Sequence, residues 1–253
     1  MPRFLPCAVA LLLAGPAALA QNAPAATAQT SSNAYTGPRF PGGPDSLRAV
    51  LRRALRPAKQ ELPGQLFMRL ELDKTGQPSS YAFLTLPDKA GAALARNKEI
   101  TAVLKQLPAQ LGPWQPGTSP TAAQPGNVVV LPLDFGPLPE PLPLLYSDEN
   151  PVFFSLTAKK NAPPMSPAEF IQRQFRYPAE DLRHRVEGSV YGYYEVSETG
   201  TVENRRVVGS LSPSTDAELR RALNALPNAL APPRHQGRPV RVAYVVPITL
   251  RMM

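Results

Sequence analysis

Cysteine is almost absent: Cys7 is the only one in 253 residues. It lies at the head of an N-terminal apolar stretch, and loss of that stretch on export would leave a chain without a thiol. Disulfides, thiolate metal sites and a cysteine nucleophile are then excluded. Histidine is nearly as scarce, with His184 and His235 alone and neither at a metal-ligand spacing from the other. Both read as exposed polar residues. Charged residues reach only 18 %, below the roughly one quarter of an average domain. No Gly-x-Ser-x-Gly, phosphate-cradling glycine loop or dinucleotide fingerprint occurs. Catalytic residues, a metal and a cofactor are therefore all expected to be absent, and the chain reads as a non-enzyme. Long apolar runs are missing too. The longest, Cys7 to Leu19, is interrupted by Gly15 and Pro16 and falls short of the about 20 residues a membrane span needs.

What the chain has in quantity is proline, 32 residues in clusters, as expected of short folded pieces joined by stiff connections. Residues 1–20 read as a secretory signal: Arg3 gives the positive start, and Ala18-Leu19-Ala20 a small-x-small cleavage site. Cleavage after Ala20 makes the protein periplasmic, and the alternative is an inner-membrane anchor formed by an uncleaved signal. Residues 21–45, rich in Ala, Pro, Gly, Ser and Thr, read as a disordered tether. Residues 138–165 form a proline-rich connector whose Leu144-Leu145-Tyr146 and Val152-Phe153-Phe154 are expected to pack in part on a neighbour. Between and after these lie two candidate domains, 46–137 with 11 Lys/Arg against 6 Asp/Glu and 166–253 with 12 against 9. In an exported protein such a basic balance faces lipid headgroups or acidic proteins, not nucleic acid. Arg48, Arg52, Arg53 and Arg56 share a helical spacing that suits either a peripheral contact with anionic lipid or a solvated face.

The two candidate domains match in four blocks. Leu55-Arg56-Pro57-Ala58 parallels Arg176-Tyr177-Pro178-Ala179, and Gly64 to Gly76 parallels Gly188 to Gly200, with Glu71/Glu195 and Thr75/Thr199 coinciding. A pattern L-x-x-L-P-x-x-L-x-P follows at Leu104 and at Leu223, and Val130-Leu131-Pro132-Leu133 answers Val245-Val246-Pro247-Ile248. Matches in one order, with the offset drifting at loops, point to internal duplication.

One copy reads as helix, strand, strand, helix, strand. Phe170, Ile171 and Phe175 share one face of a helix over 169–176 that Pro178 closes. Residues 188–196 and 201–210 form a hairpin turned at Ser197-Glu198-Thr199-Gly200. Ser214-Thr215-Asp216 caps a helix over 217–226, a loop covers 232–239, and 240–250 is the third strand. The fold class is thus α+β: two tandem α-β-β-α-β units, each a three-stranded antiparallel sheet with two helices packed on it. Glu71 and Glu195 are expected to face solvent. Pro132 and Pro247 interrupt each last strand, and proline is confined to an edge, a strand start or a bulge. That proline either protects an edge from aggregation or marks an edge open to a partner's extended peptide.

The second copy resembles the C-terminal domain of TonB energy transducers. The resemblance is carried by Tyr177-Pro178-Ala179, Val186-Glu187-Gly188-Ser189-Val190, Tyr194-Glu195-Val196, Gly200-Thr201-Val202, Val207-Val208-Gly209-Ser210, Ala217-Glu218-Leu219, Gly237-Arg238-Pro239-Val240 and Val246-Pro247-Ile248. It implies a small antiparallel sheet with two helices that binds a short peptide of an outer-membrane receptor along its last strand. Carried across, the partner-binding positions are Tyr177, Pro178, Val240, Arg241, Val242, Ala243, Tyr244, Val245 and Val246. The first copy resembles the family only through the second: Arg56 stands where the family tyrosine would be. The N-terminus also lacks the histidine of the family's membrane helix. The expected function is a periplasmic adaptor that engages an extended peptide of an outer-membrane or envelope partner by strand addition, in association with TonB-dependent transport. The alternative is a structural duplicate whose strand edges mediate self-association, as in a homodimer.

Overall fold

The computed structural model describes residues 33–56, 64–118, 127–135, 142–153 and 165–252. The signal reading of residues 1–20 and Phe154 lie outside them.

Two three-stranded antiparallel sheets organise the chain, each with its first strand in the centre. In the first, β1 (Gly64–Leu72) lies between β2 (Pro78–Phe83) and β3 (Val128–Phe135). In the second, β4 (Gly188–Val196) lies between β5 (Val202–Gly209) and the terminal strand β8 (Val242–Leu250). A two-stranded hairpin, β6 (Arg234–His235) and β7 (Arg238–Pro239), occupies what reads as a loop in the sequence. Its turn residues Gln236 and Gly237 take positive φ of 51° and 76°, the geometry that closes a two-residue hairpin.

Strand alternation decides what each sheet covers. Leu66, Met68, Leu70 and Leu72 of β1 join Leu131, Leu133 and Phe135 of β3 in a core with the helices α1 (Gly43–Leu55), α2 (Lys89–Arg96) and α3 (Lys98–Gln106). Asp88 and Asn97 cap α2 and α3 with side-chain oxygens, so two helices stand between β2 and β3. In the second sheet Val190, Tyr194, Val196, Val246, Ile248 and Leu250 pack on α4 (Pro167–Gln174) and α6 (Pro213–Asn224). A short helix α5 (Ala179–Arg183) follows α4. Ser166 and Glu169 close a reciprocal capping box on α4. The helix α6 starts earlier than its sequence suggests. Ser212, not Ser214, is the N-cap, accepting from the Thr215 amide at 3.1 Å, with Pro213 at the first helical position.

The opposite faces of the sheets meet each other. Phe67 of β1, Tyr193 of β4, Val208 of β5 and Ala243 of β8 are buried together, with Val130 and Val245 beside them. The Phe67 and Tyr193 rings meet edge to face at 5.6 Å. Arg206 stacks over Tyr193 at 4.2 Å and donates to Gln65, and the Ser210 amide donates to the Thr85 carbonyl at 2.7 Å. The layers are helices, sheet, sheet, helices. Glu195 consequently does not face solvent: it is 7 % exposed and is held by the Tyr193 hydroxyl at 2.6 Å and Arg241 at 3.2 Å.

The tether reading of residues 21–45 fails over its described part. Ala34 bridges to Glu149, Tyr35 stacks on Tyr146 at 4.9 Å, Phe40 is buried and α1 begins at Gly43. Two aromatics were enough to fasten a segment of otherwise small residues, because the connector supplies the surface they lack. That connector buries Leu144, Tyr146 and Phe153.

Candidate functional site

The strand β8 is the last in its sheet, so one side of it has no ladder partner. Which groups point there follows from one contact. Leu144 of the connector donates its amide to the Arg241 carbonyl and accepts from the Ala243 amide, both at 2.8 Å. Since N–H and C=O alternate sides along a strand, the polar groups of residues 243, 245, 247 and 249 face away from β4. Those of Val242, Tyr244, Val246, Ile248 and Leu250 serve the β4 ladder, whose register runs unbroken from Gly188↔Leu250 to Val196↔Val242. Pro247 falls on the open side, where its missing N–H removes nothing from that ladder.

Leu144 occupies only the head of the open side. Beyond it, the amide and carbonyl of Val245, the carbonyl of Pro247 and both groups of Thr249 make no backbone bond among the described residues. Val245 and Pro247 are half-buried and Thr249 is exposed. This stretch borders a cleft of about 310 Å³ lined by Val128, Val129 and Val130 of β3, Ala243, Val245, Pro247 and Thr249 of β8, and Ser189 and Tyr191 of β4. Tyr35 and Leu145 form one wall, and Arg69 and Arg251 are the charged side chains on its lining. Arg69 is paired with Glu71 at 2.6 Å. Burial pushes the hydroxyls of Tyr35, Tyr193, Tyr194 and Tyr244 above the ordinary phenol value, so the tyrosines around β8 stay neutral.

The sequence-derived partner-binding residues divide into distinct environments. Val245 lies on the unoccupied part of the edge, and the open-side carbonyl of Ala243 also makes no backbone bond among the described residues. The open-side carbonyl of Arg241 and the open-side amide of Ala243 are taken by Leu144. The Arg241 guanidinium reaches Glu203 at 2.7 Å and Glu195 at 3.2 Å, and the Glu203 hydrogen bond leads the effects that raise its pKa over the opposing effect of burial. Val242, Tyr244 and Val246 use their backbone groups toward β4. Val240 precedes the strand and donates to the Pro233 carbonyl at 3.0 Å. Tyr177 packs at the border of the helix-side core and donates to the Val186 carbonyl, and Pro178 caps α5. Thr249, the Pro247 carbonyl and the occupying Leu144 escape sequence reasoning. The alternation around Pro247 could have picked out Thr249, whereas nothing in the sequence marks Leu144 as a partner of β8.

His184 is exposed, as its sequence suggests. His235 is not: its side chain is 13 % exposed, with Nδ1 at 2.9 Å from Asp148 and Nε2 at 3.3 Å from Asp45. It ties the β6–β7 hairpin to α1 and to the connector. Arg48 is likewise engaged, donating to Asp45 at 2.7 Å and to the Leu142 carbonyl at 3.0 Å. Among the described residues no group of three or more His, Cys, Asp or Glu is placed to hold a metal ion, and no helix is long and apolar enough to cross a membrane.

The family model described as the Gram-negative bacterial TonB protein C-terminal matches residues 173–252. The match covers β4, β5, α6 and β8. Neither the curated proteins nor the solved structures include a match to this chain.

Proposed function

We propose that the chain is a periplasmic binding adaptor, not an enzyme, which takes an extended peptide of an envelope partner as an added strand along β8, in association with TonB-dependent transport. The observation that carries this reading is the row of unpaired backbone groups at Val245, Pro247 and Thr249 beside an open cleft. Strand addition needs such a row for affinity and adjoining pockets for side-chain choice. The family match over residues 173–252 supports an outer-membrane receptor as the source of the peptide. The N-terminal half reads as a divergent copy of the same unit. Its first strand is also central, and Gly76 and Gly200 end the two first hairpin turns with φ of 82° and 86°.

The test is titration of the protein with synthetic peptides from the N-terminal segments of outer-membrane receptors. Val245→Pro removes one open-side N–H and leaves the β4 ladder untouched, so peptide binding weakens by roughly tenfold, the worth of one hydrogen bond, while the protein still folds. Binding that is equally tight in Val245→Pro contradicts strand addition at this edge.

A further inference from the structure

The four outer strands of the two sheets are β2, β3, β5 and β8, and they differ in how their open sides are guarded. Pro132 and Pro247 interrupt β3 and β8. Glu203, Arg205 and Arg206 place charges along β5. Proline and charge are the usual defences of a strand edge against another chain. The strand β2, Pro78-Ser79-Ser80-Tyr81-Ala82-Phe83, carries no charge and has proline only at its first position. It is also the strand that displays aromatic rings. Tyr81 is 41 % and Phe83 37 % exposed, and the two rings meet edge to face at 6.0 Å.

The Leu84 amide donates to the Phe67 carbonyl on the β1 side at 2.9 Å, so alternation turns the N–H and C=O groups of Tyr81 and Phe83 away from β1. They have no backbone partner among the described residues. An antiparallel strand added there is reinforced most by aromatic or other apolar side chains set opposite the exposed rings. The strand supplies such side chains itself. About a two-fold axis at Ala82, Tyr81 of one copy stands opposite Phe83 of the other, both pairs exchange two backbone hydrogen bonds, and alanine alone sits at the close central position. Residue i meeting j while j meets i is the condition for an isologous contact, and cross-strand aromatic pairs reinforce it.

We propose that β2 is a homodimer surface, through which two copies of this chain join their N-terminal sheets into one six-stranded sheet. A six-residue strand is a small contact, at the low end of stable interfaces, so the dimer is concentration-dependent. The proposal does not depend on what β8 binds.

Sedimentation of the full chain across a concentration series tests it, beside Tyr81→Lys and Phe83→Lys. The wild type shifts from monomer to dimer, and both lysine variants remain monomeric with an unchanged circular dichroism spectrum. In a Cys7→Ser background, Ala82→Cys oxidises to a disulfide-linked dimer, because directly opposed residues at that position have Cα atoms about 4.5 Å apart. A wild type still monomeric at ~1 mM, where millimolar affinity already populates dimers, overturns the proposal. So does a dimer that survives Tyr81→Lys and Phe83→Lys while Ala82→Cys stays uncrosslinked.

Discussion

Leu144 bonds to Arg241 and Ala243 on the side of β8 turned away from β4, and Pro247 lies on that same side further along the strand. In the first sheet Pro132 stands opposite Phe67, whose carbonyl accepts from Leu84 on the far side of β1, so it too sits where no ladder donor is needed. Placement by parity, not by edge position alone, is what lets a proline stand in the middle of each strand. Pro247→Ala should therefore lower stability by no more than about 0.4–1 kcal/mol, through the freedom it returns to the unfolded chain. Val246→Pro, one residue away, deletes a ladder N–H facing Gly192 and leaves a buried acceptor unpaired, at a cost of about 1–3 kcal/mol or more. Urea unfolding of the two variants checks the order. Equal losses would mean that Pro247 is not on the open side.

At the scale of elements, local chemistry was readable where the residues supply their own partners. The strand over residues 188–196, the turn ending at Gly200 and the capping of α4 by Ser166 and Glu169 are all local events. Ser212, Ser214 and Thr215 all offer a capping hydroxyl, and the start of α6 falls at Ser212 because Pro213 suits the first helical position, while Asp181, distant in sequence, gathers all three hydroxyls. Asp181 is 3 % exposed and accepts from Ser212 at 2.8 Å, Ser214 at 2.9 Å and Thr215. Burial raises its carboxyl, but the three hydroxyls and the Thr215 amide outweigh burial and hold it below the usual carboxylate value. A carboxyl depressed in the folded state stabilises fully above the unfolded pKa of about 3.9 and loses that contribution as pH falls through the folded value. The stability difference between wild type and Asp181→Asn should thus be largest above pH ~4 and shrink on acidification. A difference that grows toward low pH in urea or thermal melts would contradict the hydroxyl cage.

The whole molecule is where sequence reading stopped short. The sequence predicts two tandem units joined by a connector, each with helices on its sheet, and leaves open how they meet; the described halves pack sheet against sheet within one compact unit. The signal was available in Tyr191 and Tyr193, which give β4 apolar side chains on both faces, and in Phe67 on β1. A strand apolar on both faces is one covered on both sides. The covering surface itself comes from the other half, so no local pattern names it. The same holds for Glu195, buried between Tyr193 and Arg241, and for the connector, whose Leu144 shortens the peptide-accepting edge to the stretch from the Ala243 carbonyl to Thr249. That assembly leaves the open side of β8 facing the inter-sheet cleft, which is the central claim. Residue-resolved amide hydrogen exchange tests it most directly. In the free protein the Val245 and Thr249 amides should exchange fast while those of Tyr244, Val246 and Ile248 are protected by β4, and a bound receptor peptide should slow Val245 and Thr249 selectively. Val245 and Thr249 already as protected as Val246 without a ligand, or unchanged when the peptide binds, would contradict it.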